Sequence, residues 1–274
     1  MTKMKPASKI YIAIVLIFLY LPIVMLVVLS FNGSNSTSVM NGVSLRWYVE
    51  LFRSEATMNA LYNTLILAVT SSLAATLLGT VAAVGIDKMK KGFGKTILTS
   101  VTNIPMMNPE IVTGVSMMLL FVFIGAILNI SGILGFWTLF IAHVTFSLPY
   151  VILNVLPKLK QVDPNIAQAA QDLGCPPVKA FFKVVFPSIL PGIFAGFIMA
   201  FTLSLDDFII SYFVSGPKFQ TLPIYIFSMT KKRVTPDIYA LFTLMFLAIL
   251  VLLILVNVFQ SKDEKKVKKG GEKK

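Results

Sequence analysis

The stretch Gln168-Ala-Ala-Gln-Asp-Leu-Gly174, followed by Val184-Val-Phe-Pro187, decides the interpretation of this chain. It belongs to an amphipathic, lysine-bearing segment between two long apolar runs. Asp163-Pro164 is typical of a helix start and Gly174 of a helix end, so a short helix is predicted over 165–173. Pro176-Pro177 favours a second short helix that ends at Val185. We expect a membrane protein that keeps so structured a loop to dock another protein on it.

The rest of the chain is dominated by apolar runs. Hydrophobic residues make up 56% of the 274 residues and charged residues 13%, whereas a soluble domain carries about 25% charged residues. A helix needs ~20 residues to cross a hydrocarbon core about 30 Å thick, and six runs are long enough. They predict six transmembrane helices at about 10–31, 61–86, 97–125, 134–156, 188–214 and 238–260.

The basic residues predict the orientation of these helices. All 24 Lys and Arg lie outside the six runs, as the cost of several kcal/mol for burying a cation in lipid requires. With six spans, eighteen of them share a side with the two termini and six lie opposite. The positive-inside rule therefore places both termini in the cytoplasm. The net charge of +12 is mostly this topology signal, and without a soluble basic domain nucleic-acid binding is a poor interpretation.

Several local features interrupt this simple pattern. Trp47 and Tyr48 lie in an amphipathic segment over 45–60, which predicts a short interfacial helix on the outer face. Two prolines and Glu110 interrupt the third run, so its helix is predicted to break there. Pro149 predicts a kink in the fourth, while Pro187 and Pro191 are expected to bend the chain from the loop into the fifth.

Three charged residues lie inside the spans, and all are acidic: Glu110, Asp206 and Asp207. An intramembrane carboxylate is a functional candidate by default, and acids without bases suit a path for a cation. Tyr150 and Tyr212 could add aromatic faces that attract a cation. A structural role is also open, because Glu110 could satisfy the first turn of a restarted helix and one aspartate could cap a break. Adjacent residues point about 100° apart on a helix, so both aspartates are not expected to face one path.

Some kinds of chemistry find no support in the sequence. There is no Walker-type loop and no metal-ligand cluster, so the chain is not expected to hydrolyse ATP or bind a cofactor itself. The single Cys175 excludes a disulfide framework. His143, the only His, is expected to hydrogen-bond a neighbouring helix rather than relay protons.

The motif in the loop resembles the coupling motif of ABC importer permeases, which seats the membrane subunit on its ATPase. The segment Phe201-Thr-Leu-Ser-Leu-Asp-Asp-Phe-Ile-Ile-Ser211 and its continuation to Pro223 resemble the second permease of spermidine/putrescine importers, as do Asn108-Pro-Glu-Ile-Val112 and His143-Val-Thr-Phe-Ser-Leu-Pro-Tyr150. The likeness covers nearly the whole chain. One position departs from the family pattern, because Gln168 stands where the motif has Glu, and an amide forms a weaker bond than a carboxylate to a basic partner.

This resemblance implies an all-α polytopic membrane protein with the type I ABC importer permease fold. The organisation would be a cytoplasmic N-terminus over 1–9, a six-helix domain over 10–260 with the coupling loop at about 158–187, and a Lys-rich cytoplasmic tail over 261–274. The implied partners are an ATPase dimer that holds ATP and Mg, a second homologous permease, an extracytoplasmic polyamine-binding protein and the lipid bilayer of a bacterial inner membrane. The coupling residues would be Gln168, Ala169, Ala170, Asp172, Leu173, Gly174, Val184 and Pro187.

Two alternative functions remain open at this point. One is an ABC permease for another small cationic solute or for ferric iron; the paired acids in the fifth span argue against an anion. The other is a stand-alone secondary transporter, which would need inverted repeats with broken helices in both halves, and no convincing repeat is seen. A membrane-embedded enzyme is the weakest interpretation, because no nucleophile–base pair appears.

Overall fold

The computed structural model describes residues 6–34, 39–90, 92–231, 237–251 and 254. Within these residues the regular structure is helical apart from one isolated bridge between Asn32 and Val43. The helices are α1 (Pro6–Ser30), α2 (Arg46–Arg53), α3 (Glu55–Lys88), α4 (Phe93–Met107), α5 (Glu110–Ile127), α6 (Phe136–Gln161), α7 (Pro164–Asp172), α8 (Pro177–Ala180), α9 (Phe186–Asp206), α10 (Ile209–Val214), α11 (Leu222–Thr230) and α12 (Asp237–Val251).

Five of the six predicted spans appear in the described residues as helices long and apolar enough to cross a membrane. They are Ser8–Ser30, Glu55–Lys88, Glu110–Ile127, Phe136–Gln161 and Pro177–Asp206. The sixth, predicted over 238–260, is described in part as the apolar helix Asp237–Val251. The predicted tail over 261–274 lies outside the described residues, and the predicted domain limits stay a prediction.

The structure corrects the bounds of several predicted elements. The interfacial helix predicted over 45–60 ends at Arg53, and α3 begins at Glu55. The interrupted third run is two helices, because Asn108 and Pro109 are extended between α4 and α5. The fifth span ends at Asp206 rather than at residue 214, and α10 follows as a separate helix. Helix α6 runs from Phe136 to Gln161 through Pro149, and the kink expected there stays a prediction.

The second short helix of the loop is not separate from the fifth span. Helix α8 continues through a π-helical turn, Phe181–Val185, directly into α9. In this wider turn the amide of Phe186 donates to the carbonyl of Phe181. Pro187 is the next residue and has no N–H to donate. The turn before it is widened, so the helix continues through the proline instead of ending.

The chain divides into two compact units, the first comprising Met1–Asn59 with Tyr225–Leu250. Its loop between α1 and α2 is organised by Asn32, whose side-chain amide donates to the carbonyl of Val39 at 2.8 Å and accepts from the Asn41 amide at 3.0 Å. The indole of Trp47 donates to the Asn32 carbonyl at 2.6 Å. These bonds satisfy buried polar groups and tie residues 39–41 and the start of α2 to the end of α1.

The second unit contains Ala60–Ile224, and its core is the packing of α3, α6 and α9. Val151 of α6 is fully buried between Gly79 of α3 and Gly196 of α9. A Cβ at Gly79 would lie 2.7 Å from Val151 Cγ1, and one at Gly196 would lie 3.2 Å from Val151 Cα. Small residues let membrane helices approach closely, and here they bring α3 and α9 against α6 at the same side chain, Val151.

Candidate functional site

The predicted coupling loop is the first candidate site, and its first helix is confirmed. The Asp163 carboxylate accepts the Asn165 amide at 2.9 Å and starts α7. Gly174 ends the helix at φ 84°, with its amide bonded to the Gln171 carbonyl at 2.8 Å and the Cys175 amide to the Ala170 carbonyl at 3.0 Å. Helices commonly end in this way, with a glycine at a positive φ that other residues rarely adopt.

The coupling residues lie mostly on the surface. Leu173, the residue that follows α7, is 89% exposed. The others that the motif names fall into two groups: Ala170 and Val184 are half-buried, while Gln168, Ala169, Asp172, Gly174 and Pro187 are exposed.

A groove of about 390 Å³ lies between α7 and the ends of α3 and α6. Gln168 and Gln171 of α7 line it opposite Asp87 and Lys88. The Lys88 ammonium stands 5.8 Å from the ring centroid of Phe181 in the π-helical turn. Position 168, where the chain departs from the family motif, therefore borders charged groups of its own chain.

The second candidate site is the break between α9 and α10, where the two predicted aspartates lie. Asp207 is extended, with ψ 120°, and its carboxylate accepts the amides of Ile210 at 3.3 Å and Ser211 at 2.7 Å. These are first-turn donors of α10 that no intrahelical carbonyl can reach. Asp207 is therefore buried in a capping role, the structural alternative that the sequence left open.

A buried polar network surrounds this break. The two ring nitrogens of His143 in α6 contact Ser204 Oγ at 2.7 Å and Ser211 Oγ at 3.1 Å. His143 Nε2 is also 3.4 Å from Asp207 Oδ2, and Ser204 Oγ lies 3.1 Å from Ser71 Oγ of α3. The expectation that His143 bonds a neighbouring helix is confirmed. The three serines could not be recognised from the sequence, where they look like ordinary small residues in apolar helices.

Asp206, the neighbouring aspartate, has the opposite environment. It is exposed, and the charges of Asp207 and Glu110 both act on it. As the last residue of α9 it also sits at the negative end of the helix dipole. Among the described residues, no Lys or Arg forms an ion pair with it. Asp206 is thus a carboxylate in a negative setting, which favours a mobile cation.

Glu110 reaches this region because α5 packs on α10. A Cβ at Gly114 would lie 3.1 Å from Phe213 and 3.4 Å from Ile210 Cα, so the two backbones are close. Glu110 is one turn before Gly114 on the same face of α5 and is exposed at the start of the helix. The structure therefore brings Glu110 and Asp206 together from separate helices.

The two predicted tyrosines have different surroundings. Tyr212 is 47% exposed, and its ring centroid lies 5.5 Å from that of Phe208, beside the break. Tyr150 is half-buried and packs on Phe146, at 5.7 Å between centroids. It lies about 10 Å along α6 from His143 toward the loop, in an apolar cluster.

The depth of the acidic site follows from helix lengths. Asp206 is twenty residues beyond Phe186, or about 30 Å at 1.5 Å per residue. His143 is eighteen residues before Gln161 at the loop end of α6, or about 27 Å. The acidic site and the coupling loop therefore lie about 27–30 Å apart along these helices, a distance comparable with the thickness of a hydrocarbon core.

Comparisons with known proteins agree with this architecture. A family model described as the binding-protein-dependent transport system inner membrane component matches residues 75–269. The chain is 42% identical over 227 residues to the putrescine transport system permease protein PotI of Escherichia coli (strain K12), covering 83% of this chain and 81% of that one. It is 36% identical over 253 residues to the spermidine/putrescine transport system permease protein PotC of Haemophilus influenzae, covering 92% and 96%.

The fold is also similar to that of a solved structure. A chain of the bacterial alginate ABC transporter, crystallised with an alginate pentasaccharide-bound periplasmic protein, matches with a TM-score of 0.72 over 93% of both chains. At 16% identity this likeness concerns the fold alone, and it confirms the predicted all-α ABC importer permease architecture. With the family model covering most of the chain, this protein belongs to the family of inner-membrane components of binding-protein-dependent transport systems.

Proposed function

We propose that this chain is a permease subunit of an ATP-driven, binding-protein-dependent importer of the polyamines spermidine and putrescine. The observation that carries the proposal is the identity of 36–42% with permeases of putrescine and of spermidine/putrescine systems over more than four-fifths of the chain. Such identity covers the membrane helices as well as the loop motif.

The geometry at the α9–α10 break supports a polyamine as the solute. Putrescine and spermidine are chains of methylenes that carry ammonium groups. Exposed Asp206, with Glu110 close by, offers carboxylates to an ammonium group, and Tyr212 and Phe208 offer aromatic faces to the cation and its apolar stem. An anionic solute would be repelled here.

The loop supports the coupling role. We assign α7 and the following turn to the surface that docks on a separate ATPase subunit, which holds ATP and Mg. The exposed Leu173 would enter an apolar pocket of that subunit, and the polar face of α7 would border it. A second permease and an extracytoplasmic binding protein complete the proposed complex. Closure of the ATPase dimer would then move α7, and through the continuous helix Pro177–Asp206 would shift Asp206 itself.

The same arrangement supports the proposed topology. With the coupling loop in the cytoplasm, beside the ATPase, Asp206 lies toward the extracytoplasmic side, where a binding protein would deliver the solute. The excess of Lys and Arg in the loops on the coupling side agrees with this orientation, and both termini are then cytoplasmic.

The test is uptake by the reconstituted complex in vesicles, with its own binding protein and ATP inside. We expect saturable uptake of labelled spermidine or putrescine, and a KM about tenfold or more higher in Asp206→Asn, because a charge-assisted bond to the ammonium is lost. Glu50→Gln, which removes an exposed carboxylate of α2, is the control and should leave KM unchanged. Binding-protein-stimulated uptake of a different cation or of ferric iron, without polyamine uptake, would refute the substrate assignment.

A further inference from the structure

We propose that His143 is a positioning residue that clamps the two sides of the α9–α10 break and so holds Asp206 toward the solute. The imidazole reaches Ser204, before the break, through Nδ1 and Ser211, after it, through Nε2. Asp206 lies between these two serines in the chain. The inference rests on the proposed function for the identity of the solute, but its structural part is independent of it.

The hydrogen bonds of the network have one consistent direction. The Ser211 hydroxyl donates to Asp207 Oδ2 at 2.7 Å, so it accepts from His143, and Nε2 carries the proton. In a neutral imidazole Nδ1 then accepts from the Ser204 hydroxyl, which in turn accepts from Ser71. Every member is satisfied, and bonds that point the same way along a chain strengthen one another.

The contacts of His143 stabilise the break between α9 and α10. A helix break inside a membrane protein leaves backbone groups that neighbouring protein must satisfy. Asp207 satisfies the amides of α10, but its contacts there lie on one side of the break only. His143 is the group that also holds the α9 side, through Ser204. Its complete burial means that the position of the ring is set by packing, so it can act as a rigid reference for Asp206.

The first test uses two substitutions that each retain half of the clamp. The amide of Asn reaches roughly as far as Nδ1 and that of Gln as far as Nε2, so His143→Asn keeps the Ser204 side and His143→Gln the Ser211 side. We expect both to raise the KM of polyamine uptake by about tenfold, the effect of a displaced charge-assisted contact, with Vmax per assembled complex changed less than KM. Ser147→Ala, a fully buried side chain one turn along α6, is the control.

Other outcomes overturn the clamp. If His143→Gln leaves KM unchanged and only His143→Asn raises it, the imidazole acts only on the Asp207 side of the break. If KM is unchanged and only Vmax or the yield of complex falls, or if Ser147→Ala has the same effect, the role is general packing.

The second test needs neither uptake nor a polyamine. Cys175 is the single cysteine, so a chain with Cys175→Ser and Asp206→Cys carries one reporter thiol. Its reaction with a cationic methanethiosulfonate is measured as the increase in mass of this subunit. Ser204→Ala removes the hydrogen bond between His143 and α9 but leaves the imidazole in place. We expect it to change the labelling rate by roughly threefold or more, as loss of one buried hydrogen bond implies. Ser147→Ala should leave it unchanged. Equal rates in all three chains would overturn the proposal even if polyamine transport is established, and a changed rate without polyamine uptake would reject only the substrate.

Discussion

Gly79→Ala should destabilise this protein, although alanine is the better helix former. The methyl group would lie 2.7 Å from Cγ1 and 2.8 Å from Cβ of Val151, whereas carbon atoms pack at about 3.5–4.0 Å. The side chain of Val151 would have to retreat by about 0.8 Å. It has little room to do so, because a Cβ at Gly196 of α9 would already lie 3.2 Å from the same Cγ1.

The size of the effect can be separated from helix propensity by a second glycine of the same helix. A Cβ at Gly85 would meet nothing within 4 Å, so Gly85→Ala gains only the propensity term of up to about 1 kcal/mol. Gly79→Ala gains the same term but adds overpacking of about 1–3 kcal/mol. The difference between the two variants therefore isolates the cost of separating α3 from α6.

The assay is the thermal unfolding midpoint of the detergent-purified complex, scanned at one fixed rate because unfolding of such assemblies is commonly irreversible. At about 2–4 °C per kcal/mol for a chain of this size, Gly79→Ala should melt several degrees below Gly85→Ala. Equal midpoints, or a higher one for Gly79→Ala, would refute the close packing of α3 on α6 described above.

Three further predictions concern the two sites. Asp207→Asn should lower the yield of assembled complex and its midpoint, at a cost of about 2–4 kcal/mol, because a buried cap and partner of His143 is weakened; unchanged yield would contradict its structural role. Leu173→Asp should weaken ATPase binding about 10- to 100-fold, the value of one buried leucine, without changing the midpoint; equal affinity in a titration of the ATPase would exclude Leu173 from the docking surface. Gln168→Glu should tighten the same binding by about fivefold, since a charge-assisted bond is worth roughly 1 kcal/mol more; no gain would place position 168 in its own groove rather than at the ATPase.

Much of the fold could be predicted from local patterns. Five of the apolar spans follow from hydropathy, while the break before Glu110 and the helix that Asp163 starts and Gly174 ends each depend on a few adjacent residues, and the structure confirms these features. The bounds of the fifth span could not be found in this way, because no proline or glycine marks the break at Asp207. The break forms because the carboxylate of Asp207, in place of backbone carbonyls, accepts the first amides of α10. A hydropathy profile does not reveal such a substitution.

By itself the sequence determined the membrane class, five of the spans, the structured loop and the three acids within apolar runs, since these follow from the cost of placing polar groups in lipid. Only the tertiary structure decided between the two aspartates. Asp206 and Asp207 are chemically identical, and their surroundings differ because the carboxylate of Asp207 is buried against His143 and Ser211 while Asp206 is exposed. His143 is 68 residues from Ser211 in the chain. Contacts over such separations depend on how α3, α6 and α9 pack, and side-chain shape at the small-residue interfaces sets that packing.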